Sequence, residues 1–226
     1  MRKYNEHIAI VSDSFPLSQI KQMLGMPYTF FFDAHVQYPA DPDGAHLTHF
    51  FTPRPIAEHE RFVRWIVTDW FRWAIPRRIG YDVVFGPNEP GTNTIIKEFA
   101  DYGKSPLGKR IRYALWDYKD TGRFGDVLVE GEIKSGDKVF VFNTVSSQGR
   151  CVGQRLPSFV EGLGGTVVAR AVFAKGTTSF VKEVETRYAP YFYAAVQVDI
   201  PVYTKEECPK CKAGDIAKPW TDLLKT

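Results

Sequence analysis

The spacing of apolar residues predicts one long helix in the first third of the chain. Between Ile56 and Ile75 they recur every three or four residues, which places them on one face of a helix that Pro76 ends. We interpret this face as core rather than as a ligand site. Its members are Phe62, Val63, Ile66, Val67, Trp70, Phe71 and Ala74. Before this helix, 28–32 is typical of a short strand and 39–44 of a turn.

After Pro76, continuous apolar runs alternate with helical patterns. Strands are predicted at 81–85, 112–118, 139–142 and 166–173, and helices at 94–102 and 152–163. This alternation predicts an α/β fold with a mostly parallel central sheet flanked by helices. Because ligands bind at the carboxyl ends of parallel strands, the segments 86–93 and 143–151 are the candidate site.

Length and composition favour a single structural domain. The 226 residues divide into an N-terminal hood with the long helix (1–76), an α/β core (77–200) and a C-terminal tail (201–226). An apolar fraction of 44% and an aromatic fraction of 15% exclude a disordered chain. With no apolar run of about 18 residues and no secretory signal pattern, we expect a cytoplasmic protein without a membrane partner. A net charge of +3 without a basic run gives no support for nucleic acid.

The three cysteines predict no disulfide framework, because their number is odd. Cys208 and Cys211 form a CPKC motif, and Cys151 lies far from it in the chain. A zinc site would need a second pair of ligands at matching spacing, and all five histidines lie in the first quarter of the sequence. We therefore assign no metal ligand and expect reduced thiols packed in a turn, although metal binding by the CPKC pair stays open.

A polar loop follows the apolar run 139–142 and enters a helical pattern. Its small hydroxyl residues and its glycine allow consecutive backbone N–H groups to face one anion, and the start of a helix adds positive potential. The alternative is an ordinary turn that caps the helix. The candidate phosphate-binding residues are Val145, Ser146, Ser147, Gln148, Gly149 and Arg150.

The segment 136–173 resembles the core of the type I phosphoribosyltransferases: a Gly-Asp turn, an apolar strand, a phosphate loop, a helix, Gly-Gly and a second apolar strand. The segment 82–91 (DVVFGPNEPG) is similar to a strand with its pyrophosphate-binding loop. The segment 43–51 (DGAHLTHFF) and the tail motifs from 199 to 219 look like orotate phosphoribosyltransferases. The resemblance spans about residues 15 to 220.

This resemblance implies transfer of ribose 5-phosphate from phosphoribosyl pyrophosphate to a nitrogenous base, with Mg²⁺ as cofactor, in a homodimer. The other implied ligand is a nucleoside monophosphate. The implied site residues are Lys119, Asn143 and Thr144 for catalysis, Gly86, Pro87, Asn88, Glu89 and Gly91 for pyrophosphate, and His46 and Phe50 for the base.

The sequence departs from the family pattern where charge is needed. Asn143 and Thr144 stand where the family has two adjacent acidic residues, and Glu89 places a negative charge in a pyrophosphate loop. In the segment that resembles the mobile catalytic loop, Trp116 and Thr121 replace a lysine and a histidine. We expect a phosphoribosyltransferase with reduced or altered activity. The alternatives are a non-catalytic nucleotide- or sugar-phosphate-binding regulator and a diverged enzyme with another phosphorylated substrate.

Overall fold

The computed structural model describes residues 7–40 and 44–224. In chain order its elements are β1 (Ile8–Ile10), α1 (Leu17–Leu24), β2 (Phe30–Phe31), β3 (Val36–Tyr38), β4 (Ala45–Leu47), β5 (Phe50–Phe51), α2 (Arg54–Ala57), α3 (Glu60–Ala74), β6 (Val83–Pro87), α4 (Thr92–Leu107), β7 (Arg112–Tyr118), β8 (Phe124–Gly131), β9 (Lys138–Ser146), a π-helical turn (Cys151–Arg155), α5 (Leu156–Gly162), β10 (Thr166–Lys175), α6 (Ser179–Tyr188), β11 (Phe192–Val198), β12 (Val202–Tyr203), α7 (Pro209–Lys212), β13 (Lys218–Pro219) and a 3₁₀ turn (Trp220–Leu224).

A seven-stranded sheet forms the centre of the molecule, in the order β1-β11-β10-β9-β6-β7-β8. The five inner strands are parallel to one another, whereas the edge strands β1 and β8 are antiparallel to them. The predicted α/β class with a mostly parallel sheet is confirmed. The ends of β6 and β9 lie side by side, as expected for adjacent parallel strands.

Side chains of β9 alternate between two hydrophobic layers. Phe140 and Phe142 face the layer that contains α3 and α4, and the Phe140 ring stacks on Trp70 with 4.1 Å between centroids. Val139 and Val141 face the second layer, which contains the π-helical turn and α5. This alternation fixes which residues at the end of β9 share a face.

The hood and the tail share a second sheet of four strands, in the order β12-β4-β3-β13. Strands β3 and β4 come from the N-terminal third of the chain, and β12 and β13 come from its last 25 residues. The two chain ends are therefore joined beside the central sheet. The division of the chain at residues 76 and 200 stays a prediction.

Several predicted elements differ from the structure in extent. The helix predicted over 56–75 is two helices, α2 and α3, with a break at Glu58 and His59. The apolar face of α3 is buried as predicted, and the helix ends at Ala74, two residues before Pro76. The predicted turn at 39–44 falls partly outside the described residues. Within the described ranges, no helix is long and apolar enough to span a bilayer.

Candidate functional site

A cavity of about 600 Å³ opens at the carboxyl end of β9, between the central sheet and the small sheet. The end of β9 and the following turn form its floor, the β7–β8 hairpin forms one side, and the tail segment before α7 forms another. The residues that line it are Tyr38, Pro39, Gly44, Ala45, Tyr118, Gly122, Arg123, Phe124, Asn143, Val145, Ser146, Ser147, Gln148, Gly149, Arg150, Cys151, Arg155, Val202, Tyr203, Thr204, Lys205, Glu206 and Glu207.

All six predicted phosphate-binding residues, 145–150, line this cavity. The loop itself is shorter than predicted, because β9 continues through Ser146 and only 147–149 connect it to the helical turn. Gly149 has a φ of +78°, which a side chain would strain. The backbone N–H groups of 147–149 donate to no other group in the described part of the chain. Three consecutive donors therefore remain for an anion.

Asn143 and Thr144 do not act as a pair, because consecutive residues of a strand face opposite sides of the sheet. Asn143 lines the cavity, and its Nδ2 donates to Cys151 Sγ at 3.0 Å. Its Oδ1 is buried without a hydrogen-bond partner, as is Oγ of Ser146. Thr144 is fully buried on the other face, where its hydroxyl lies 2.6 Å from that of Thr92. The predicted catalytic role of Thr144 is corrected accordingly: its side chain belongs to the core.

The predicted pyrophosphate-binding residues Gly86, Pro87, Asn88, Glu89 and Gly91 do not line the large cavity. Gly86 and Pro87 belong to β6, and a Cβ atom on Gly86 would lie 2.2 Å from the carbonyl oxygen of Phe142. Gly91 has a φ of +94° and packs against the backbone of Arg54. The two glycines thus serve close packing of β6 on β9 and of α4 on the hood.

Glu89 lines a smaller cavity of about 40 Å³ that shares four lining residues with the large one: Tyr38, Asn143, Val145 and Ser147. We call this space the annex. The Glu89 carboxylate accepts a hydrogen bond from Thr92 Oγ1 at 2.9 Å. Burial raises the pKa of Glu89 to about 7. The hydrogen bond from Thr92 and the positive charge of Arg54 lower the pKa, but by less than burial raises it. Near neutral pH the annex therefore holds a carboxyl group that is partly protonated.

The two predicted base-binding residues lie in different places. Phe50 lines the annex, and its ring stacks on Trp220 with 5.7 Å between centroids. His46 lines neither cavity. In β4, Ala45 faces the large cavity and His46 faces away from it, because the two are neighbours in a strand. The assignment of His46 to the base is therefore corrected.

His46 lies instead in a buried cluster with His35, Cys208 and Cys211, whose ligand atoms are all within 4.8 Å of one another. Two histidines of the first quarter therefore lie beside the CPKC motif, whose ability to bind a metal the sequence left open. The small sheet brings the two chain ends together across 165 residues between Cys211 and His46. Sequence spacing carried no signal for this contact.

The segment that resembles a mobile catalytic loop is a tight hairpin here. The Lys119 N–H donates to the carbonyl of Arg123 at 2.7 Å, and the Gly122 N–H donates to that of Lys119 at 2.8 Å. The Lys119 ammonium pairs with Asp117 and does not line the cavity, so its predicted catalytic position is corrected. Trp116 is buried within β7 and stacks on Phe159.

The walls of the large cavity carry more positive than negative side chains: four basic (Arg123, Arg150, Arg155 and Lys205) against two acidic (Glu206 and Glu207). Of these basic residues, the sequence placed Arg150 in the candidate phosphate loop and Arg123 beside the segment that resembles the mobile catalytic loop. It gave no indication of Arg155 or Lys205. The bonded hydroxyls of Tyr38 and Tyr118 also face this region. Burial raises the pKa of both phenols, which therefore stay protonated. The cavity thus favours an anionic ligand with hydroxyl groups.

The fold is that of the type I phosphoribosyltransferases, whereas no protein-family model matches the sequence. Orotate phosphoribosyltransferase of Mycobacterium tuberculosis H37Rv in complex with Fe(III) dicitrate superposes with a TM-score of 0.54, at 15% identity over 79% of this chain and 93% of that one. The same enzyme in complex with phosphoribosyl pyrophosphate gives 0.50, at 18% identity over 64% and 78%. Adenine phosphoribosyltransferase of Saccharomyces cerevisiae gives 0.50, at 14% identity over 80% and 99%. The resemblance is confirmed at the level of the fold.

Proposed function

We propose that the chain binds a ribose 5-phosphate group in the large cavity and transfers it between pyrophosphate and a nitrogenous base. The observation that carries this proposal is that residues 147–149, whose backbone N–H groups have no partner in the described part of the chain, and Asn143, whose side-chain oxygen has none, line the same basic cavity. An anion and a neighbouring hydroxyl would satisfy these groups together. The structural likeness to an enzyme that binds phosphoribosyl pyrophosphate supports the same ligand class.

Each group of the cavity would contact a different part of the ligand. The N–H groups of 147–149 would hold the phosphate, Arg150 would add charge, and Asn143 would accept from a ribose hydroxyl. Positioning and electrostatic stabilisation supply most of the catalysis in a transfer of this type. Because Asn143 is neutral, it stabilises a developing cation less than a carboxylate would, and we expect slow turnover.

The residues at the strand end do not fit a protein-held Mg²⁺. Magnesium prefers carboxylate oxygens and water, and the strand end offers the amide of Asn143 and a buried threonine hydroxyl. The only carboxyl group of the annex is Glu89, whose raised pKa disfavours its ionised form. None of the contacts proposed above depends on this ion. A homodimer and a cytoplasmic location stay predictions.

The second candidate function is binding of a nucleoside monophosphate without turnover. The neutral side chains of Asn143 and Thr144 favour it, since neither supplies a carboxylate at the end of β9 to stabilise a developing positive charge. Both functions need the same phosphate contacts. They differ in whether pyrophosphate is formed.

Calorimetric titration of the full chain tests the proposal, with ribose 5-phosphate, phosphoribosyl pyrophosphate, AMP, UMP and orotidine monophosphate as ligands, each with and without Mg²⁺. We expect ribose 5-phosphate to bind more tightly than inorganic phosphate. Failure of every phosphorylated ribose to bind would overturn the proposal. Pyrophosphate release in the presence of orotate, adenine or uracil then separates the enzyme from the binding protein.

A charge variant locates the bound phosphate. Arg150→Gln should weaken ribose 5-phosphate binding several-fold, because it removes one cation beside the phosphate. Arg72→Gln is the matched control, since Arg72 is an exposed residue of α3 that lines neither cavity. Equal losses in the two variants would place the ligand elsewhere.

A further inference from the structure

We propose that His35, His46, Cys208 and Cys211 form a tetrahedral binding site for one Zn²⁺ ion. Two imidazole nitrogens and two thiol sulfurs lie within 4.8 Å of one another in the described structure. This donor set is typical of structural zinc sites, and the two-residue gap between the cysteines is a usual ligand spacing. The site lies outside the cavities assigned to the ligand, so it does not depend on the function proposed above.

Four of the six distances between the ligand atoms are close to those of a tetrahedral zinc site, and the other two, from Cys208 Sγ to His46 and to Cys211, are within 4.8 Å. With Zn–N bonds of about 2.0–2.1 Å and Zn–S bonds of about 2.3 Å, two nitrogens lie about 3.3 Å apart and a nitrogen and a sulfur about 3.6 Å apart. Here His35 Nε2 and His46 Nδ1 are 3.3 Å apart. His35 Nε2 lies 3.3 Å from Cys208 Sγ and 3.5 Å from Cys211 Sγ, and His46 Nδ1 lies 3.1 Å from Cys211 Sγ.

Hydrogen bonds alone explain this convergence poorly. His35 Nε2 faces three groups at once, and one ring nitrogen of a neutral imidazole either donates a single proton or accepts. Thiols are weak donors and weak acceptors. A disulfide between Cys208 and Cys211 would leave the two imidazoles without a role. A shared cation satisfies all four atoms.

The fold brings the four residues together and covers them. Gln37 pairs directly with His46 across the β3–β4 ladder, so His35, two residues before Gln37, lies diagonally opposite His46 on the same face. Cys208 precedes α7 and Cys211 lies within it. His35, His46 and Cys208 are buried, and Cys211 is half-buried, as in closed structural sites.

A carboxylate beside His35 and an ion pair next to Cys211 flank the cluster. The Asp215 carboxylate lies 3.1 Å from His35 Nδ1, the ring nitrogen that does not face the cluster, although the two are not aligned as a hydrogen bond. Metal-binding histidines are commonly oriented by a carboxylate at this position. Lys210 of α7 pairs with Asp33 at 2.8 Å, which adds a further link between tail and hood.

The ion would fix one wall of the large cavity. The tail segment 202–207 lines that cavity and leads directly into Cys208. On the hood side, Ala45 faces the cavity and His46 faces the cluster from the same strand. Binding energy at the four ligands would therefore hold both chain ends beside the ligand site.

Elemental analysis of the full-length protein, purified without chelator, tests the site, and we expect one zinc per chain. Cys211→Ser and His46→Gln should lose stoichiometric zinc. Cys151→Ser and His59→Gln are the matched controls and should keep it, since neither residue belongs to the cluster. Metal content that is the same in all four variants would overturn the proposal.

Cobalt titration of the wild-type protein covers the case in which a ligand variant fails to fold. After removal of metal and reduction, Co²⁺ should give the visible d–d absorption of a tetrahedral site and a near-ultraviolet thiolate charge-transfer band, and Zn²⁺ should abolish both. Trypsin should cut the metal-free protein faster at Lys205, Lys210 or Lys212. A reduced protein that gives no cobalt spectrum, or a purified protein with a Cys208–Cys211 disulfide and no metal, would overturn the proposal.

Discussion

The side-chain amide of Asn143 donates a hydrogen bond to Cys151 Sγ over 3.0 Å, and this bond leaves its oxygen, buried in the wall of the cavity, without a partner. An unsatisfied buried acceptor costs about 1–3 kcal/mol, which a ligand hydroxyl would recover. We therefore expect Asn143 to favour a phosphorylated sugar over phosphate alone.

Asn143→Leu removes this acceptor at similar volume. We expect the affinity for ribose 5-phosphate to fall about tenfold, corresponding to one hydrogen bond of about 1.4 kcal/mol. The affinity for inorganic phosphate should stay within about twofold, because the N–H groups of 147–149 are unchanged. Calorimetry with both ligands measures the difference. Equal losses for both would mean that Asn143 acts only through the shape of the loop.

Substitutions of Thr144 test whether its side chain is buried in the core. Thr144→Asp would place a carboxylate in a fully buried position beside Thr92, and we expect a loss of about 3–5 kcal/mol in the free energy of unfolding. Thr144→Val removes only the hydroxyl and should cost about 1 kcal/mol. Urea unfolding of the two variants and the wild type gives both values. A mild effect of the aspartate would show that this side chain reaches solvent.

The comparison of Asn143 with Thr144 shows what the sequence could and could not predict. The apolar run 139–142 located β9, and the small residues after it indicated the turn at 147–149, whose binding of phosphate stays a prediction. The sequence could not predict the residue at which β9 ends, because Asn, Thr and Ser occur both in strand ends and in loops. Because β9 continues to Ser146, Asn143 and Thr144 lie within the strand, and successive side chains of a strand face opposite sides of the sheet. The two residues that the resemblance had paired therefore face opposite sides.

The cluster at His46 shows a second limit. Its ligands come from strands at one end of the chain and a short helix at the other, and only tertiary structure brings them together. Local spacing identifies ligands within a single motif, such as Cys208 and Cys211. It carries no information on a partner 165 residues away.

Gly176, which follows β10, contacts the turn at 147–149. Its N–H donates to the carbonyl of Ser146 at 2.9 Å, and a Cβ atom on it would lie 2.2 Å from the carbonyl oxygen of Ser147. Gly176→Ala must therefore displace the turn, and we expect ribose 5-phosphate affinity to fall about tenfold or more, since misdirected N–H donors lose charge-assisted hydrogen bonds.

Gly162→Ala is the matched control for this prediction. It adds the same methyl group at the end of α5, where no atom lies within 4 Å of the new Cβ. Its ligand affinity should equal that of the wild type in the same calorimetric assay. If Gly176→Ala also binds normally, the turn is not the phosphate site.

Glu89 gives the protein a pH-dependent stability. Its pKa is about 7 in the folded state against an ordinary value of 4.5, so between these values the folded chain holds more protons than the unfolded chain. The free energy of unfolding therefore falls as pH rises from about 4.5 to about 7. Because Glu89 is half-buried and each pKa unit corresponds to about 1.4 kcal/mol, we take about 3 kcal/mol as the upper bound of this loss.

Glu89→Gln removes the titration and keeps an oxygen that can accept from Thr92. The variant should be close to the wild type in stability at pH 5 and more stable at pH 8, by no more than about 3 kcal/mol, because only the wild type then carries a half-buried charge. Urea unfolding across this range measures both curves, and Glu58→Gln, at an exposed position, should leave the pH profile unchanged.

Parallel curves for Glu89→Gln and the wild type would mean that the Glu89 carboxyl is hydrated in the folded protein. In that case the annex would repel a phosphorylated ligand at neutral pH. A protonated Glu89 can instead donate a hydrogen bond to a ligand at that position.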